Sequence, residues 1–289
     1  MPHAGRCILL SVTLSVVIIT YNEEANIGRT LESVMPLVAD GKGEIIVVDS
    51  GSADRTVEIA KSLGAKVFVE EWKGYAAQKN SAIDKASGEW ILSLDADEEV
   101  SYGMREFLLL ILFGLHGSEF SNFKGGILFG RRNYFLGRWI RHGGFYPDAK
   151  VRLFRPGSGR FEKRLVHEDI RMEGCNVYDP RPTYNMGDPI DVIHHSYPTL
   201  SDYIDHMNRY SSLGAEMVAA KVKVRFSVIN IVLRPMATFF YNYIFRLGFL
   251  DGREGLLLHL YHAVYVSWKY AKAWELSRKQ HKLLTDRSF

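Results

Sequence analysis

Asp95 and Asp97 stand two positions apart at the end of the apolar run 90–94. In extended backbone both carboxylates would leave the same face. Two convergent carboxylates suit Mg2+ or Mn2+, hard cations that prefer oxygen ligands and share their shell with substrate phosphates. Such an ion neutralises charge as a diphosphate departs. An isolated Asp-x-Asp is more often an acidic turn that merely ends a strand. What favours chemistry here is Asp49, which ends another apolar run and adds a third acid to the same edge. Asp49 could cap the following helix or accept hydrogen bonds from a nucleobase imide or a ribose. Ser50 and Ser52 offer the same capping service, which would leave its carboxylate free. Lys79, within Gln78-Lys79-Asn80, is a point charge for a phosphate or a solvated helical lysine.

Further along, His167-Glu168-Asp169 supplies candidates for a base, since displacement by an incoming hydroxyl needs a carboxylate to take its proton. The plain alternative is a solvated acidic pair in a loop. His194 and His195 follow the apolar pair Val192-Ile193, so in a continuing strand their imidazoles point to opposite faces. One could reach a metal or diphosphate while the other stays structural. Arg152 and Arg155, or Arg138 and Arg141, could bind the phosphates of an anionic acceptor, and surface arginines are the competing explanation.

These residues need a scaffold. The β-branched run 14–20 reads as a buried parallel strand, followed by the polar helix entry Asn22-Glu23-Glu24-Ala25-Asn26 and a helix to about Val38. A second strand over 44–48 precedes a helix over 53–63 that Gly64 stops, and 65–69 makes a third strand. A helix over 78–86 then leads to a fourth strand, 90–94. Strands alternating with helices imply right-handed crossovers and a mostly parallel sheet, with ligands at the carboxyl ends of the strands. From about Gly125 the texture shifts to shorter strands with Gly and Arg. After Tyr197-Pro198 it becomes helical, with one helix over 201–221 and aromatic-rich helices from Val224 to about Ser277.

The 289 residues suffice for a large α/β domain with an appendage. A hydrophobic content of 47% and a charged content of 24% are ordinary for a globular protein and suggest neither disorder nor a polytopic membrane protein. A net charge of +3 is too mild to indicate nucleic acid as a partner. Cys7 and Cys175 form no metal spacing and no disulfide framework, which suits a reducing, cytoplasmic setting. The apolar run 7–20 behind Arg6 superficially resembles the start of a signal peptide. It lacks a small-residue cleavage pattern, and it is too short to span a bilayer. No Gly-x-Gly-x-x-Gly follows the first strand, which speaks against a dinucleotide oxidoreductase.

The segments 15–24, 45–56, Gln78-Lys79-Asn80 and 94–98 resemble family-two glycosyltransferases of the GT-A fold, nearest to the lipopolysaccharide-core β-glucosyltransferase subgroup. Phe135-Leu136-Gly137-Arg138-Trp139, Tyr146-Pro147-Asp148, Arg152-Leu153-Phe154-Arg155, Val166-His167-Glu168 and Phe249-Leu250-Asp251-Gly252 extend the likeness over most of the chain. The resemblance implies an α/β nucleotide-diphospho-sugar transferase fold with a mostly parallel sheet and a C-terminal helical extension. The catalytic domain would occupy 1–200, with a nucleotide-sugar half, 1–124, and an acceptor half, 125–200; the helical region would occupy 201–289. Thr20, Tyr21 and Glu23 would line the nucleoside pocket, Asp49 would hold the base, and Asp95 and Asp97 would face the ribose and the metal. Glu168 would be the base, with Asp169 as its alternative, and His194 fits the family's His-x-Ser-Tyr pattern as a third metal ligand.

The implied reaction is metal-dependent, inverting transfer of a sugar, glucose first, from a UDP-sugar to a lipopolysaccharide core or related cell-envelope glycan. The same donor chemistry could serve a polyprenyl phosphate or a protein acceptor. From another class comes a nucleotide-binding scaffold without turnover, against which Asp97 and Glu168 argue. Arg225, Arg234, Arg246 and Arg253 interleave with Phe239, Phe240, Tyr243, Phe245 and Phe249. That mixture suits helices lying in a bilayer interface, so peripheral attachment to the inner face of the cytoplasmic membrane is expected. Helix packing is the competing account of those rings.

Overall fold

The structure, a computed structural model, describes residues 13–114, 120, 123–162, 169–221 and 224–285. It divides into two compact units. The first holds Met1–Arg131, Ala149–Arg164 and Glu168–His194; the second holds Arg132–Asp148, Leu165–His167 and His195–Phe289.

In the first unit, β1 (Leu14–Thr20), β2 (Gly43–Asp49), β3 (Lys66–Val69) and β4 (Trp90–Asp95) pair in parallel in the order β3-β2-β1-β4. Between them lie α1 (Ile27–Val38), α2 (Thr56–Ser62) and α3 (Tyr75–Asp84). The near-continuous apolar strands have a direct cause. Val16, Ile18, Val47 and Leu92 face a core built with Ile27, Leu31 and Val34 of α1, whereas Val17, Ile46, Val48 and Ile91 face one built with Ala76, Ala82 and Ile83 of α3. Strands covered on both faces have no polar side to show.

Beyond β4 the sheet continues through β5 (Glu98–Val100), β6 (Gly125–Phe135), β8 (Lys150–Phe154) and β12 (Asp191–Tyr197), in the order β4-β8-β6-β12-β5, with β11 (Asn176–Tyr178) beside β6, while β9 (Gly159–Phe161) and β10 (Ile170–Met172) pair with each other. The pairs β4–β8, β6–β8 and β12–β5 are antiparallel. The sheet is thus mixed, and from β6 to β12 no helix intervenes among the described residues to carry a parallel crossover. At 11 residues β6 is long, against the short strands expected after Gly125. With α4 (Tyr102–Leu112) covering the first core through Met104, Phe107 and Ile111, this is an α/β fold whose sheet is parallel in its first half.

In the second unit, β6 turns at Leu136 (φ 49°) and Gly137 (φ 78°) into the short β7 (Arg138–Trp139). Phe135 and Ile140 of this hairpin pack with Tyr203 of α5 (Leu200–Lys221) and Leu258 of α7 (Gly252–Thr285). Residues 132–148, expected in the acceptor half, therefore group with the C-terminal helices.

Glu44 ties the nucleotide half together. Its carboxylate accepts from Ser15 Oγ (2.7 Å), from Ser87 N (2.8 Å) and Oγ (2.7 Å), and from Lys66 Nζ (2.7 Å). Gly88 beside it must lack a side chain, because a Cβ would lie 2.6 Å from Ser15 N. Burial pushes the Glu44 carboxyl up, but the bonds from Lys66, Ser15 and Ser87 outweigh it and hold the pKa at about 2. A carboxyl lowered on folding stabilises the protein above its unfolded pKa, and that stability is lost as pH falls through the folded one. Acidification from about pH 4.5 to pH 2 should therefore remove about 2–3 kcal/mol of stability through this residue. In Glu44→Gln, denaturant titrations across that range should show a flatter pH dependence on a lower plateau.

Candidate functional site

The carboxyl ends of β1, β2 and β4 hold most of the residues singled out from the sequence. Two loops are stitched together at the β1 and β2 ends. Asn22 N donates to Ser52 Oγ (2.8 Å), Ala53 N to Asn22 Oδ1 (2.8 Å), Glu23 N to Thr56 Oγ1 (2.7 Å) and Arg55 N to Glu24 Oε2 (3.1 Å). Asn22 adopts φ 53°, which Asn tolerates better than most residues. This locking leaves Tyr21 on the rim, 58% exposed. Burial raises the pKa of Glu23; a hydrogen bond from Asn26 opposes it, while the charges of Asp97, Asp54 and Asp95 add to it.

Asp49 is fully buried. The expectation that serines would cap and leave it free is corrected by its bonds. Asp49 Oδ1 accepts Gly51 N and Ser52 N, both at 2.9 Å, and Oδ2 accepts the Ser52 hydroxyl. The tight turn after β2 needs an acceptor for its N–H groups, and Asp supplies it better than Ser. The remaining lone pairs of Oδ2 are what a base or ribose could use.

The strand rule that would send Asp95 and Asp97 to one face fails because β4 ends at Asp95 and a turn follows. Asp95 turns towards cations: Lys79 Nζ lies 2.7 Å from Oδ1, and Arg152 donates to Oδ2 at 3.4 Å. Burial pushes its carboxyl up, but Lys79 and Arg152 together hold it far below the ordinary range. Asp97 turns instead to His194, whose Nε2 is 3.1 Å from Oδ2. Burial again opposes ionisation, and His194 overcomes it, leaving the pKa lowered. Lys79 is no solvated helical lysine, being 7% exposed, with its Nζ also 5.0 Å from the centre of the Phe161 ring.

Sequence reasoning missed the group that holds Asp95. Glu98, fully buried, accepts Asp95 N at 2.9 Å and a close bond from Arg152, with Arg131 at 3.8 Å. Nothing local announced its charge partners, because Arg131 and Arg152 lie dozens of residues away in the sequence. The same geometry corrects the acceptor reading of Arg152 and Arg155. Arg152 is spent on the carboxylates. Arg155 bonds the carbonyls of Glu89 (3.2 Å) and Phe120 (3.1 Å) and stacks on Trp90 at 4.0 Å. Arg138 reaches Leu250 O at 3.4 Å, and Arg141 lies over Trp139 at 4.1 Å and stays exposed.

His195 leaves β12 on the face opposite His194, as strand alternation requires, and stacks on Tyr134 at 5.5 Å. Glu168 lies outside the described residues; Asp169 is ion-paired with Lys150 Nζ at 2.7 Å. Among the described residues no group of three or more His, Cys, Asp or Glu side chains could hold a metal. Asp95 therefore does not join Asp97 and His194 in a preformed cage. Asp97 remains a fitting carboxylate donor for Mg2+ or Mn2+, ions that are held through one or two carboxylates plus phosphates, and the His194 imidazole beside it suits Mn2+ better than Mg2+.

Three buried polar atoms along this edge have no hydrogen-bond partner among the described residues: Thr20 Oγ1, Ser50 Oγ and Gln78 Nε2. Thr20 and Asp49 are register partners at the β1 and β2 ends, Ser50 follows Asp49, and Gln78 lies in α3, fully buried. Buried polar groups without partners are costly, and these three are atoms that a polar ligand could satisfy.

A family model described as Glycosyl transferase family 2 matches residues 15–110. The lipopolysaccharide core biosynthesis glycosyltransferase LpsC of Rhizobium meliloti is 31% identical over 270 residues, which cover 91% of this chain and 92% of LpsC. A dolichyl-phosphate hexose transferase of Haloferax volcanii is 39% identical over 163 residues, covering 54% of this chain and 68% of that protein. A crystal structure of S. aureus TarS 1-349 in complex with UDP is 16% identical, covers 93% of this chain and 92% of its own, and superposes with a TM-score of 0.45.

Proposed function

Because the chain belongs to glycosyl transferase family 2, we propose that it moves a hexose, glucose first, with inversion from a UDP-sugar to a lipopolysaccharide core or related cell-envelope glycan at the cytoplasmic face of the membrane. The observation that carries the donor half is the trio of unpartnered buried atoms, Thr20 Oγ1 and Ser50 Oγ beside Asp49 at the ends of β1 and β2, and Gln78 Nε2 in α3 next to Lys79, which reaches Asp95. A nucleoside diphosphate offers donors and acceptors to such atoms. Thr20, Tyr21 and Glu23 would line the nucleoside, Asp49 would accept from the base, and Asp95 would face the ribose. The acceptor half rests on the likeness to LpsC over nearly the whole chain.

Asp97 and His194 would hold Mg2+ or Mn2+, which when bound neutralises charge on the departing diphosphate. Lys79 and Arg152 keep Asp95 ionised and fixed before any ligand arrives, so the site needs little rearrangement to receive one. The incoming hydroxyl oxygen bonds to the anomeric carbon as the bond to the diphosphate breaks on the opposite face. The hydroxyl proton passes to Glu168. Asp169 is already engaged by Lys150, which favours Glu168 of the two. Glu168→Gln keeps the shape without the basicity, so it should retain the UDP-induced rise in melting temperature and lose transfer by about a hundredfold or more. An active Glu168→Gln beside an inactive Asp169→Asn would move the base one residue on.

Labelled UDP-glucose incubated with the protein and extracted envelope fractions tests the acceptor. Label in the lipopolysaccharide fraction is expected. The likeness to the Haloferax dolichyl-phosphate hexose transferase supports a second reading, a polyprenyl phosphate acceptor, for which label would enter a small organic-soluble lipid instead.

A further inference from the structure

From Met217 to Leu250 the sequence contains no Asp or Glu, against Lys221, Lys223, Arg225, Arg234 and Arg246. The second half of this stretch is a broken helix. A π-turn over Ile229–Leu233 leads into α6 (Arg234–Phe240), and a second π-turn, Tyr241–Phe245, follows. Ile231, Pro235, Phe239 and Tyr243 recur every four residues and turn inward. Ser267 Oγ of α7 bonds Ile231 O at 2.8 Å, and Phe239 stacks on Tyr243, which meets His259 of α7 edge-on.

The outward row has the same period. Val228, Val232, Met236, Phe240 and Ile244 are all exposed, and Phe245 beside them is 77% exposed. On a pure α-helix a four-residue period would drift round the axis by about 40° per step. The two π-turns, each closing over one residue more, draw the row back onto one side. A soluble protein rarely shows so long an apolar stripe.

We propose that this stripe docks in the plane of an anionic lipid bilayer, entering one leaflet without crossing it. The occupant follows from charge and length. An isologous contact with a second copy would bring together two stretches that carry Arg225, Arg234 and Arg246 and no acid to pair with them, whereas anionic head groups complement them. No helix among the described residues is long and apolar enough to cross a membrane, and the chain turns out of the helix at Leu247 (φ 60°). Arg234, stacked 4.9 Å from the centre of the Tyr270 ring and bonded to its hydroxyl, keeps its cation beside the stripe. The proposal deepens the membrane-surface reading above and is independent of the donor chemistry.

The test is co-sedimentation of the full chain with vesicles of phosphatidylcholine alone or with equal phosphatidylglycerol. Binding should be at least about tenfold tighter to the anionic vesicles and should weaken as salt screens the arginines. Met236→Asp/Phe245→Asp, both at exposed positions, should lower that binding at least about tenfold with an unchanged melting temperature. Equal binding by this variant, or equal binding to both vesicle types, overturns the proposal. So does a wild type that ignores vesicles but dimerises through this face, with the variant monomeric. The UDP-induced thermal shift, read on the same samples without lipid, reports separately on the donor site.

Discussion

Asp97→Asn is expected to lower sugar transfer about a thousandfold, the equivalent of about 4 kcal/mol in transition-state stabilisation, while leaving the fold intact. The side chain is about one-quarter exposed (25%), and its partner is His194 Nε2 at 3.1 Å, so an amide of the same shape keeps the packing and removes the charge. What it removes is the anionic oxygen through which a divalent ion would be fixed next to the leaving diphosphate. Two measurements separate this from general damage. The melting temperature of the unliganded variant should fall by no more than about 2–3 °C, the loss of one partly exposed pairing with His194. The extra stabilisation that Mn2+ adds to UDP binding should shrink, because a ligand raises stability only through its affinity for the folded state. His194→Gln should weaken the same increment by less, since it spares the carboxylate. Full wild-type activity in excess chelator would sink the metal reading, and Asp97 would then be a turn residue paired to a histidine.

The parallel half of the sheet was legible because burial on both faces forces unbroken apolar runs, and those of β1, β2 and β4 could be read almost to the residue. Helix α3 begins at Tyr75, three residues before the expected start, because its entry is made by Gly74 at φ 90° rather than by a polar cap. The site was legible in its residue types and much less so in their directions. The Asp95-Ala96-Asp97 segment reads as strand until the turn after Asp95 is known, and only then do the two carboxylates part, one to Lys79 and Arg152, the other to His194. Long-range charge pairing leaves no periodic trace. Glu98 carried no signal of its own, and Arg152 read as a binder of acceptor phosphates or a surface arginine, until the sheet order set β4, β5 and β8 where they are. The outward row on α6 was hidden for a different reason: its period of four matches no regular helix, and only the π-turns make it one face.

Glu98→Ala should be the most destabilising single change at the site, costing about 3 kcal/mol. The carboxylate is fully buried and does three things at once: it accepts the backbone N–H of Asp95 at 2.9 Å, receives Arg152, and has Arg131 at 3.8 Å. Removing it leaves a guanidinium that is only 5% exposed without its main counter-charge and leaves a buried N–H without an acceptor. Asp95 Oδ2, already 3.4 Å from Arg152, can take up part of the lost pairing, which keeps the cost below the upper end for a broken buried pair. The loss should appear as a fall of about 5–10 °C in melting temperature. Because Asp95 loses both its backbone anchor and the fixed position of Arg152, affinity for UDP should fall as well. The double variant Glu98→Leu/Arg152→Leu separates electrostatics from packing: with both charges gone it should be more stable than Glu98→Ala, as replacing a whole buried pair is milder than orphaning one partner. It should still bind UDP poorly, since Asp95 would then answer to Lys79 alone. Equal stability of wild type and Glu98→Ala would mean that solvent reaches Arg152 and that the acids and cations at the end of β4 are not a preorganised site.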